Sequence, residues 1–355
     1  MSKLTRVLIV DDDVIFRSFL RSCMDELEHV EVLDIARDGR DALEKIKKLK
    51  PDLVTLDMEM PFLTGIDVLQ CLQEEAPNIR VLAISNESEV NADRTVQALE
   101  SGAYDFILKS SCLEKNPREV LQKLLKKKIR LARSVGAVMQ KGLGKRKATN
   151  SAGNISKNNS VCPDVVAIGS STGGPVALHK VLHELPENFP VPVIVIQHMP
   201  KLFLISLVER LENNTPLTCK LAEDGMALEA GCIYVAPGEI HMEIERTGVQ
   251  LRVRLVDSER VNHCKPAVDV TFHSLAALAP RVRTLAVVLT GMGKDGAAGA
   301  KALADKKSHV IAQDKVSSVV WGMPGETVKM GAASDVLPLN DIAASIMQYC
   351  GGARR

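Results

Sequence analysis

One local pattern repeats along this chain: a short apolar run is followed by a segment whose apolar residues recur at helical spacing. Between residues 1 and 139 it predicts five strands: Arg6–Val10, Val30–Ala36, Asp52–Leu56, Arg80–Ser85 and Tyr104–Leu108. The segments between them, beginning with Val14–Leu27 and Arg40–Leu49, are predicted as helices. Because strands that alternate with helices form a parallel sheet covered on both faces, the fold class is α/β.

The same alternation resumes at Val165, so the 355 residues are predicted to form two domains. The first spans residues 1–139 and ends in a long basic helix, Leu113–Met139. Residues 140–163 are rich in Gly, Ser, Asn and Lys, which predicts a flexible linker. The second domain, residues 164–349, is predicted as a doubly wound, mostly parallel α/β domain. Four of its short segments are spaced like an antiparallel excursion: Leu217–Leu221, Cys232–Val235, Ile240–Glu245 and Gln250–Arg254.

Composition argues against several classes of function. The net charge is +1 and aromatic residues make up 3% of the chain, so we expect neither nucleic-acid binding nor membrane insertion. The start, MSKLTRVLIVDDD, has too short an apolar run for a signal peptide. The eight cysteines show no C-x-x-C spacing, which predicts free thiols and a cytoplasmic location.

Acidic residues follow the predicted strands of the first domain. In parallel sheets the working residues collect where strands end, and these ends carry Asp11, Asp12, Asp57, Ser85 and Lys109. Clustered carboxylates repel one another unless a cation neutralises them, and their oxygen atoms suit Mg²⁺. A carboxylate beside Mg²⁺ and a lysine can accept a phosphoryl group. A single such aspartate is usually a helix cap, but the set favours a site.

The motifs VLIVDDD, LDMEMP, AIS and YDFILK resemble the receiver domain of bacterial response regulators. The resemblance implies a flavodoxin-like domain with a five-stranded parallel sheet. It also implies that Asp57 is the phosphoacceptor, and that Asp11, Asp12, Asp57 and the carbonyl of Glu59 hold Mg²⁺. Ser85, Phe106 and Lys109 would be the switch residues. Receivers usually have proline after the lysine, where this chain has Ser110, so the cis peptide bond of that position is not expected.

The second domain opens with VVAIGSSTGG, an apolar strand followed by small residues and a helical pattern. Gly169–Gly173 fits the G-x-S-x-G nucleophile elbow, which predicts Ser171 as a nucleophile and the Thr172 N–H as an oxyanion donor. His198 ends another strand and Asp295 follows a third, so these residues can complete a Ser-His-Asp triad. The alternative interpretations are that Gly169–Gly173 is only a Gly/Ser-rich connection between a strand and a helix, and that His198 has only a structural role.

Two other interpretations compete for this domain. Gly291, Gly293 and Gly296 fit G-x-G-x-x-G, and Asp314 lies near the spacing of a ribose-binding acid, which would indicate a nicotinamide-dependent oxidoreductase. His179 and His183 have the i, i+4 spacing of zinc helices, but Lys180 stands where H-E-x-x-H needs glutamate, so we interpret them as surface or packing residues. Whether His241, His263 and His273 line a cleft is left open.

The motifs GSSTGG, VIQHMP, IYVAPG, KPAVDVTF, LTGMGKDGAAG and SSVVWGMP closely resemble the catalytic domain of chemotaxis protein-glutamate methylesterases. That family also carries an amino-terminal receiver. The resemblance implies Ser171, His198 and Asp295 as the triad, with Thr172 and Met292 near the oxyanion and no cofactor for the esterase. Where the family commonly has alanine, this chain has Ser170.

The predicted function is a phosphorylation-regulated esterase that demethylates glutamate methyl esters on methyl-accepting chemoreceptors. Some members of the family also deamidate glutamine. A chemotaxis histidine kinase would be the phosphodonor, and we expect the receiver to inhibit the esterase until Asp57 is phosphorylated. The alternatives are a response regulator whose second domain only binds a partner and, third, the oxidoreductase.

Overall fold

The computed structural model describes residues 4–110, 116–142 and 162–351. The chain divides into two compact units, Met1–Val138 and Met139–Arg355. Residues 143–161, which make up most of the predicted linker, lie outside the described residues. No helix in the described ranges is long and apolar enough to cross a membrane.

The first unit alternates strictly between strand and helix. Its elements are β1 Thr5–Val10, α1 Val14–Met24, β2 Val30–Ala36, α2 Gly39–Leu49, β3 Leu53–Asp57, α3 Gly65–Glu75, β4 Arg80–Ser85, α4 Glu89–Glu100, β5 Asp105–Leu108 and α5 Pro117–Gly142. Helix α1 begins after Asp13, whose carboxylate accepts hydrogen bonds from the N–H groups of Ile15 and Phe16. Helix α5 runs three residues into the stretch predicted as linker.

The five strands form one parallel sheet in the order β2-β1-β3-β4-β5, which confirms the predicted flavodoxin-like receiver fold. Every residue of β3 is buried, as expected for a strand that has helices on both faces. The strand order reverses between β1 and β3. A crevice therefore opens at the carboxyl ends of these two strands, where the predicted aspartates lie.

The second unit is larger and contains a seven-stranded sheet. Its elements are β6 Val165–Ser170, α6 Gly174–His183, β7 Val193–Gln197, α7 Lys201–Asn214, β8 Thr218–Leu221, β9 Cys232–Val235, β10 His241–Thr247, β11 Gln250–Val256, α8 Val268–Leu278, β12 Thr284–Val288, α9 Ala297–Asp305, β13 His309–Gln313, α10 Met323–Lys329, β14 Asp335–Leu337 and α11 Leu339–Tyr349. Helix α10 and strand β14 are not predicted from the sequence.

The seven strands are all parallel, in the order β14-β13-β12-β6-β7-β9-β8, which confirms the doubly wound α/β domain. The prediction of a four-segment antiparallel excursion is wrong in part, because β8 and β9 pair in parallel within this sheet. Of the four segments, β10 and β11 are the two that form an antiparallel pair. All four residues of β9 are buried, as a strand inside a covered parallel sheet requires, whereas most residues of β11 are half-buried.

The strand order of this sheet places its crevice at a defined point. The chain proceeds from β6 to β7 on one side and returns to β12 on the other, so the order reverses between β6 and β12. Ligand sites of open α/β sheets lie at the carboxyl ends of the strands at such a reversal. The loop with Ser171 follows β6 and the loop with Asp295 follows β12, so both reach this crevice.

Candidate active site

Ser171 lies in the turn between strand β6 and helix α6. The strand is buried along its whole length, and the helix begins only a few residues later, at Gly174. Gly173 precedes the helix with a φ of 77°, a left-handed conformation that glycine adopts without strain. Ser171 itself is half-buried, so the turn leaves it accessible from solvent.

Polar side chains from the neighbouring strands hold this turn. The Nε2 of Gln197 donates to the carbonyl oxygens of Ser171, at 3.0 Å, and of His198, at 3.1 Å. The Thr290 hydroxyl donates to the Thr172 carbonyl at 2.9 Å, and the Ser171 N–H donates to the Thr290 carbonyl at 3.1 Å. The position of Ser171 is therefore set by residues far from the elbow in sequence.

His198 lies beside Ser171 because strands β6 and β7 pair in parallel. Their register matches Ser170 with Gln197, so the residues after the two strand ends are neighbours. The His198 N–H donates to the Ser170 carbonyl at 3.1 Å, and its side chain is 11% exposed. The predicted nucleophile and the predicted base thus share one edge of the sheet.

Asp295 is the buried carboxylate of this site, with 1% of its surface exposed. Its Oδ2 accepts hydrogen bonds from the Nε2 of His198 at 2.7 Å and from the Val268 N–H at 2.6 Å. Its Oδ1 accepts from the Asn262 side chain at 2.9 Å and from the Asp269 N–H at 3.2 Å. Both backbone donors belong to the first turn of α8, so the helix N-terminus also favours the negative charge.

These contacts set the charge of Asp295. Burial by itself raises the pKa of a carboxyl group, but the hydrogen bonds from His198, Asn262 and the Val268 N–H outweigh it and lower the pKa of Asp295 below its usual range. The carboxylate therefore holds the Nε2 of His198 as an N–H. The Nδ1 of His198 remains as the ring nitrogen that can exchange a proton.

The Nδ1 of His198 faces Cys264. The Sγ of Cys264 lies 3.5 Å from this nitrogen, whereas the Ser171 hydroxyl makes no hydrogen bond within the part of the chain that the structure describes. Burial acts to lower the pKa of His198, but the contacts with Asp295 and Cys264 outweigh it and raise the pKa of His198 to about 9. The predicted contact between Ser171 and His198 is thus not formed in this state.

Two residues of the site, Asn262 and Cys264, are not predicted from the sequence. They belong to a turn before α8 in which Asn262 and His263 have left-handed backbone conformations, with φ of 52° and 65°. Asn262 donates to Asp295 and also, at 2.8 Å, to Asp269, so it links two carboxylates. The only signal for this segment is the motif KPAVDVTF, which begins at Lys265 directly after the turn.

The glycine-rich loop after β12 brings Met292 to the same edge. Gly291 packs so closely that a methyl group on its Cα would lie 2.9 Å from the Ser171 Cβ. Met292 follows Gly291 and is half-buried. An oxyanion site built from the N–H groups of Thr172 and Met292 stays a prediction.

The surroundings of this loop do not favour a dinucleotide site. Asp314, the acid expected to bind a ribose, accepts hydrogen bonds from the N–H of Ser317 at 2.8 Å and from its hydroxyl at 2.6 Å. Asp295, inside the G-x-G-x-x-G pattern, is buried against His198 and α8. Because the carboxylates of Asp314 and Asp295 are both hydrogen-bonded to other residues of the protein, the oxidoreductase hypothesis loses its support.

The three histidines whose place was left open do not share one environment. His241 is fully buried, with its Nε2 2.9 Å from the Glu259 carbonyl and its Nδ1 accepting from the Ala267 N–H at 3.2 Å. His263 and His273 are exposed. Both ring nitrogens of His241 are therefore engaged by the backbone, which gives it a structural role.

Two groups of side chains in the described residues could hold a metal ion: one consists of His198, Cys264 and Asp295, and the other of Asp11, Asp12 and Asp57. The helix pair His179 and His183 belongs to neither group. Their rings stack with centroids 5.8 Å apart. This contact agrees with their interpretation as packing residues.

The carboxyl edge of the first sheet gathers Asp11, Asp12 and Asp57, whose carboxylates offer oxygen atoms within 4.8 Å of one another. The Nζ of Lys109 lies 2.7 Å from the Oδ2 of Asp57 and 3.0 Å from that of Asp11. Burial and the charge of Asp57 raise the pKa of Asp11 to about 6. The Glu59 N–H donates to Asp57 at 3.0 Å. One lysine against three carboxylates leaves excess negative charge, and a set of oxygen donors fits Mg²⁺.

The predicted switch residues lie around this edge. Ser85 ends β4 and is buried, and the Thr95 hydroxyl of α4 donates to its Oγ at 2.7 Å. Phe106 is half-buried on β5. The peptide bond before Ser110 is trans, and the Ser110 hydroxyl donates to Glu87 at 2.9 Å. The hydroxyl of Ser85 is thus coupled to α4, the helix that follows its strand.

Both units resemble known proteins. Residues 166–346 match the family model described as CheB methylesterase, and residues 7–123 match the response regulator receiver domain. The chain is 40% identical over 347 residues to a protein-glutamate methylesterase/protein-glutamine glutaminase of Thermotoga maritima, with 98% of both chains covered. It is 38% identical over 356 residues to a protein of the same name from Geobacillus kaustophilus, covering 98% of this chain and 99% of the relative. The crystal structure of the Thermotoga maritima CheB methylesterase catalytic domain is 41% identical, with a TM-score of 0.51, over 53% of this chain and 99% of that one.

Proposed function

This chain belongs to the CheB methylesterase family and carries a response regulator receiver domain, and from that premise we propose that it hydrolyses glutamate methyl esters on chemoreceptors. The observation that carries the proposal is the 2.7 Å hydrogen bond between His198 and Asp295 at the sheet edge that also presents Ser171. A base oriented by a carboxylate beside an accessible hydroxyl is the arrangement of a serine hydrolase. The substrate class comes from the names of the relatives.

In the proposed reaction Ser171 is the nucleophile and His198 is the base. Because Asp295 holds Nε2 as an N–H, the serine proton moves to Nδ1. Nδ1 has room for one hydrogen-bond partner, and the Cys264 sulfur lies there at 3.5 Å, so the Ser171 hydroxyl has to take the place of that sulfur before the proton moves. Such contacts often tighten only when substrate is bound.

The serine oxygen then attacks the ester carbonyl. We assign the N–H groups of Thr172 and Met292 to the oxyanion that forms, since charge develops on that oxygen in the transition state. His198 returns the proton to the leaving methanol. Water, deprotonated by the same nitrogen, releases glutamate from the acyl-enzyme and restores Ser171. No cofactor takes part in this scheme.

Glutamine deamidation is the second proposed activity, because the relatives are also named protein-glutamine glutaminases. The same acyl-enzyme forms when Ser171 attacks a glutamine amide and ammonia leaves. Ammonia release from glutamine-containing receptor is the measurement that tests it. Release that is unchanged in Ser171→Ala would contradict a shared site.

The receiver domain is proposed to regulate the esterase through Asp57. Asp11, Asp12, Asp57 and the carbonyl of Glu59 would hold Mg²⁺, which offsets negative charge during phosphoryl transfer from a chemotaxis histidine kinase. Lys109 already contacts Asp57 and can contact the phosphoryl group as well. Ser85 and Phe106 would transmit the change. The cytoplasm is the proposed location, because the cysteines of the described residues are free thiols.

Methanol release from membranes that carry methylated receptors tests the proposed function. We expect release by the full chain in the presence of Mg²⁺ and a small-molecule phosphodonor, and almost none by Ser171→Ala. If the second domain only binds a partner and is not an esterase, methanol release should stay at the background level. Saturable binding of NADH that is lost in Asp314→Ala would revive the oxidoreductase hypothesis.

A further inference from the structure

We propose that His198 and Cys264 form a binding site for one Zn²⁺ ion, and that zinc bound there inhibits the enzyme. The two residues come from different elements, the end of β7 and the turn before α8, and meet at the carboxyl edge of the sheet. Thiolate sulfur and imidazole nitrogen are preferred ligands of Zn²⁺, whereas Mg²⁺ prefers oxygen. The donor set therefore selects a different metal from the aspartate cluster of the receiver.

The distance between the two ligand atoms fits tetrahedral zinc. Bonds of about 2.3 Å to sulfur and about 2.0–2.1 Å to nitrogen, at the tetrahedral angle, place the ligand atoms about 3.5 Å apart. The Nδ1 of His198 and the Sγ of Cys264 are 3.5 Å apart. An ion can therefore bind both atoms without a change in their separation, once the thiol and Nδ1 have each lost a proton.

The hydrogen bond to Asp295 prepares His198 as a ligand. Histidines that bind a metal usually donate their other ring N–H to a carboxylate, which sets the tautomer and orients the ring. The Nε2 of His198 makes this contact at 2.7 Å, which leaves Nδ1, the nitrogen near Cys264, as the one that can bind a metal. Asp295 already accepts four hydrogen bonds and would remain outside the coordination sphere.

The site has some contact with solvent. Cys264 and Ser171 are half-buried, so water can complete the coordination of an ion bound there. A site with only two protein ligands binds more weakly than the four-ligand sites of structural zinc, and we expect reversible binding. Zinc would occupy the lone pair that accepts the Ser171 proton. Binding is independent of the proposed function, whereas inhibition rests on it.

Protection from alkylation tests zinc binding without any measurement of activity. The full chain is treated with iodoacetamide after incubation with Zn²⁺ or with Mg²⁺, and the modified cysteines are measured by peptide mass spectrometry. We expect Zn²⁺ to slow the alkylation of Cys264 at least tenfold and Mg²⁺ to leave it unchanged. Cys71, half-buried in the first unit, is the internal control. Equal rates at Cys264 with both metals would overturn the proposal.

Inhibition is tested by titrating Zn²⁺ into the methanol-release assay, with each variant compared with its own metal-free rate. Cys264→Ser should raise the half-inhibitory concentration at least tenfold, because a hydroxyl is a poor zinc ligand. Cys162→Ser is the control, since Cys162 precedes β6 at the opposite edge of the sheet. Inhibition that is unchanged in Cys264→Ser would refute this site as its cause. Protection of Cys264 without inhibition would uphold the zinc site and count against His198 as the base.

Discussion

The hydroxyl of Ser170 donates a hydrogen bond of 2.7 Å to the Oε1 of Gln197, and Ser170 is fully buried. Ser171, the next residue, is half-buried, and within the described ranges its hydroxyl has no such bond. The two adjacent serines therefore have different tasks. Ser170 joins strand β6 to β7, and Ser171 is available for chemistry.

Substitution of the two serines separates these tasks. Ser171→Ala should remove nearly all methanol release and leave the free energy of unfolding close to that of the parent. Ser170→Ala should keep most of the turnover per folded molecule and lower the free energy of unfolding by about 1–3 kcal/mol, because a buried acceptor loses its donor. Methanol release and urea denaturation measure the two effects. Equal losses of turnover would contradict the assignment of Ser171.

Asp295→Asn should reduce kcat strongly. The amide cannot accept all the hydrogen bonds that the carboxylate accepts, and it favours the wrong tautomer of His198. A comparable change in a serine protease costs roughly 10⁴-fold in kcat. Asp314→Asn is the matched control, because the Asp314 carboxylate caps the turn at Ser317. Similar kcat values for the two variants would rule out a role of Asp295 in the reaction.

The pH dependence of kcat/KM should reflect the raised pKa of His198, about 9. Only the neutral imidazole accepts a proton, so at pH 7 about one molecule in a hundred is in the active form, and the rate should rise with pH up to that pKa. Cys264→Ala removes one contact that raises the pKa of His198, so it should shift the rising limb to lower pH. Cys162→Ala should not move it. If kcat/KM rises over the same pH range in Cys264→Ala as in the parent, the thiol does not raise the pKa of His198.

Two glycines with similar backbone conformations allow the cost of backbone strain to be measured separately from the cost of a steric clash. Gly173 and Gly225 have φ of 77° and 74°, but a Cβ at Gly173 would lie 2.6 Å from the Val319 Cβ, whereas space is open around Gly225. Gly225→Ala should lower the free energy of unfolding by about 1–2 kcal/mol through left-handed strain alone. Gly173→Ala should lower it further and also reduce turnover, because Gly173 supports the Ser171 turn. Thermal or urea unfolding of both variants checks this order.

Phosphorylation should control the esterase through Asp57. A small-molecule phosphodonor with Mg²⁺ should stimulate methanol release by the full chain, and it should stimulate neither Asp57→Ala nor a fragment from Asp164 onward. If the receiver inhibits, the fragment should also exceed the unphosphorylated full chain. A fragment that is no faster, with stimulation of the full chain retained, would instead make the receiver an activator.

Much of the fold follows from the amino-acid sequence alone. The alternation of apolar runs with helical segments determined both α/β units, since period and order are properties of the chain itself. The strand-end positions of Asp11, Asp57 and His198, and the position of Asp295 in the loop after β12, followed from the same alternation, because parallel strands end at one edge of a sheet. The direction of β8 and β9 could not be predicted, since short strands of similar composition pair in either direction until burial on both faces decides.

The sequence by itself determined which residues reach the carboxyl edge of the second sheet, through strand ends, glycine turns and the elbow around Ser171. Only the tertiary structure decided which atoms meet there. It turned the Nε2 of His198 to Asp295 and its Nδ1 to Cys264, a residue that no motif singles out. The physical reason is that a hydrogen bond depends on the orientation of one ring and the position of a turn across the sheet. The spacing of residues in the sequence shows which of them lie at the edge of the sheet, but it does not show how the His198 ring is oriented there.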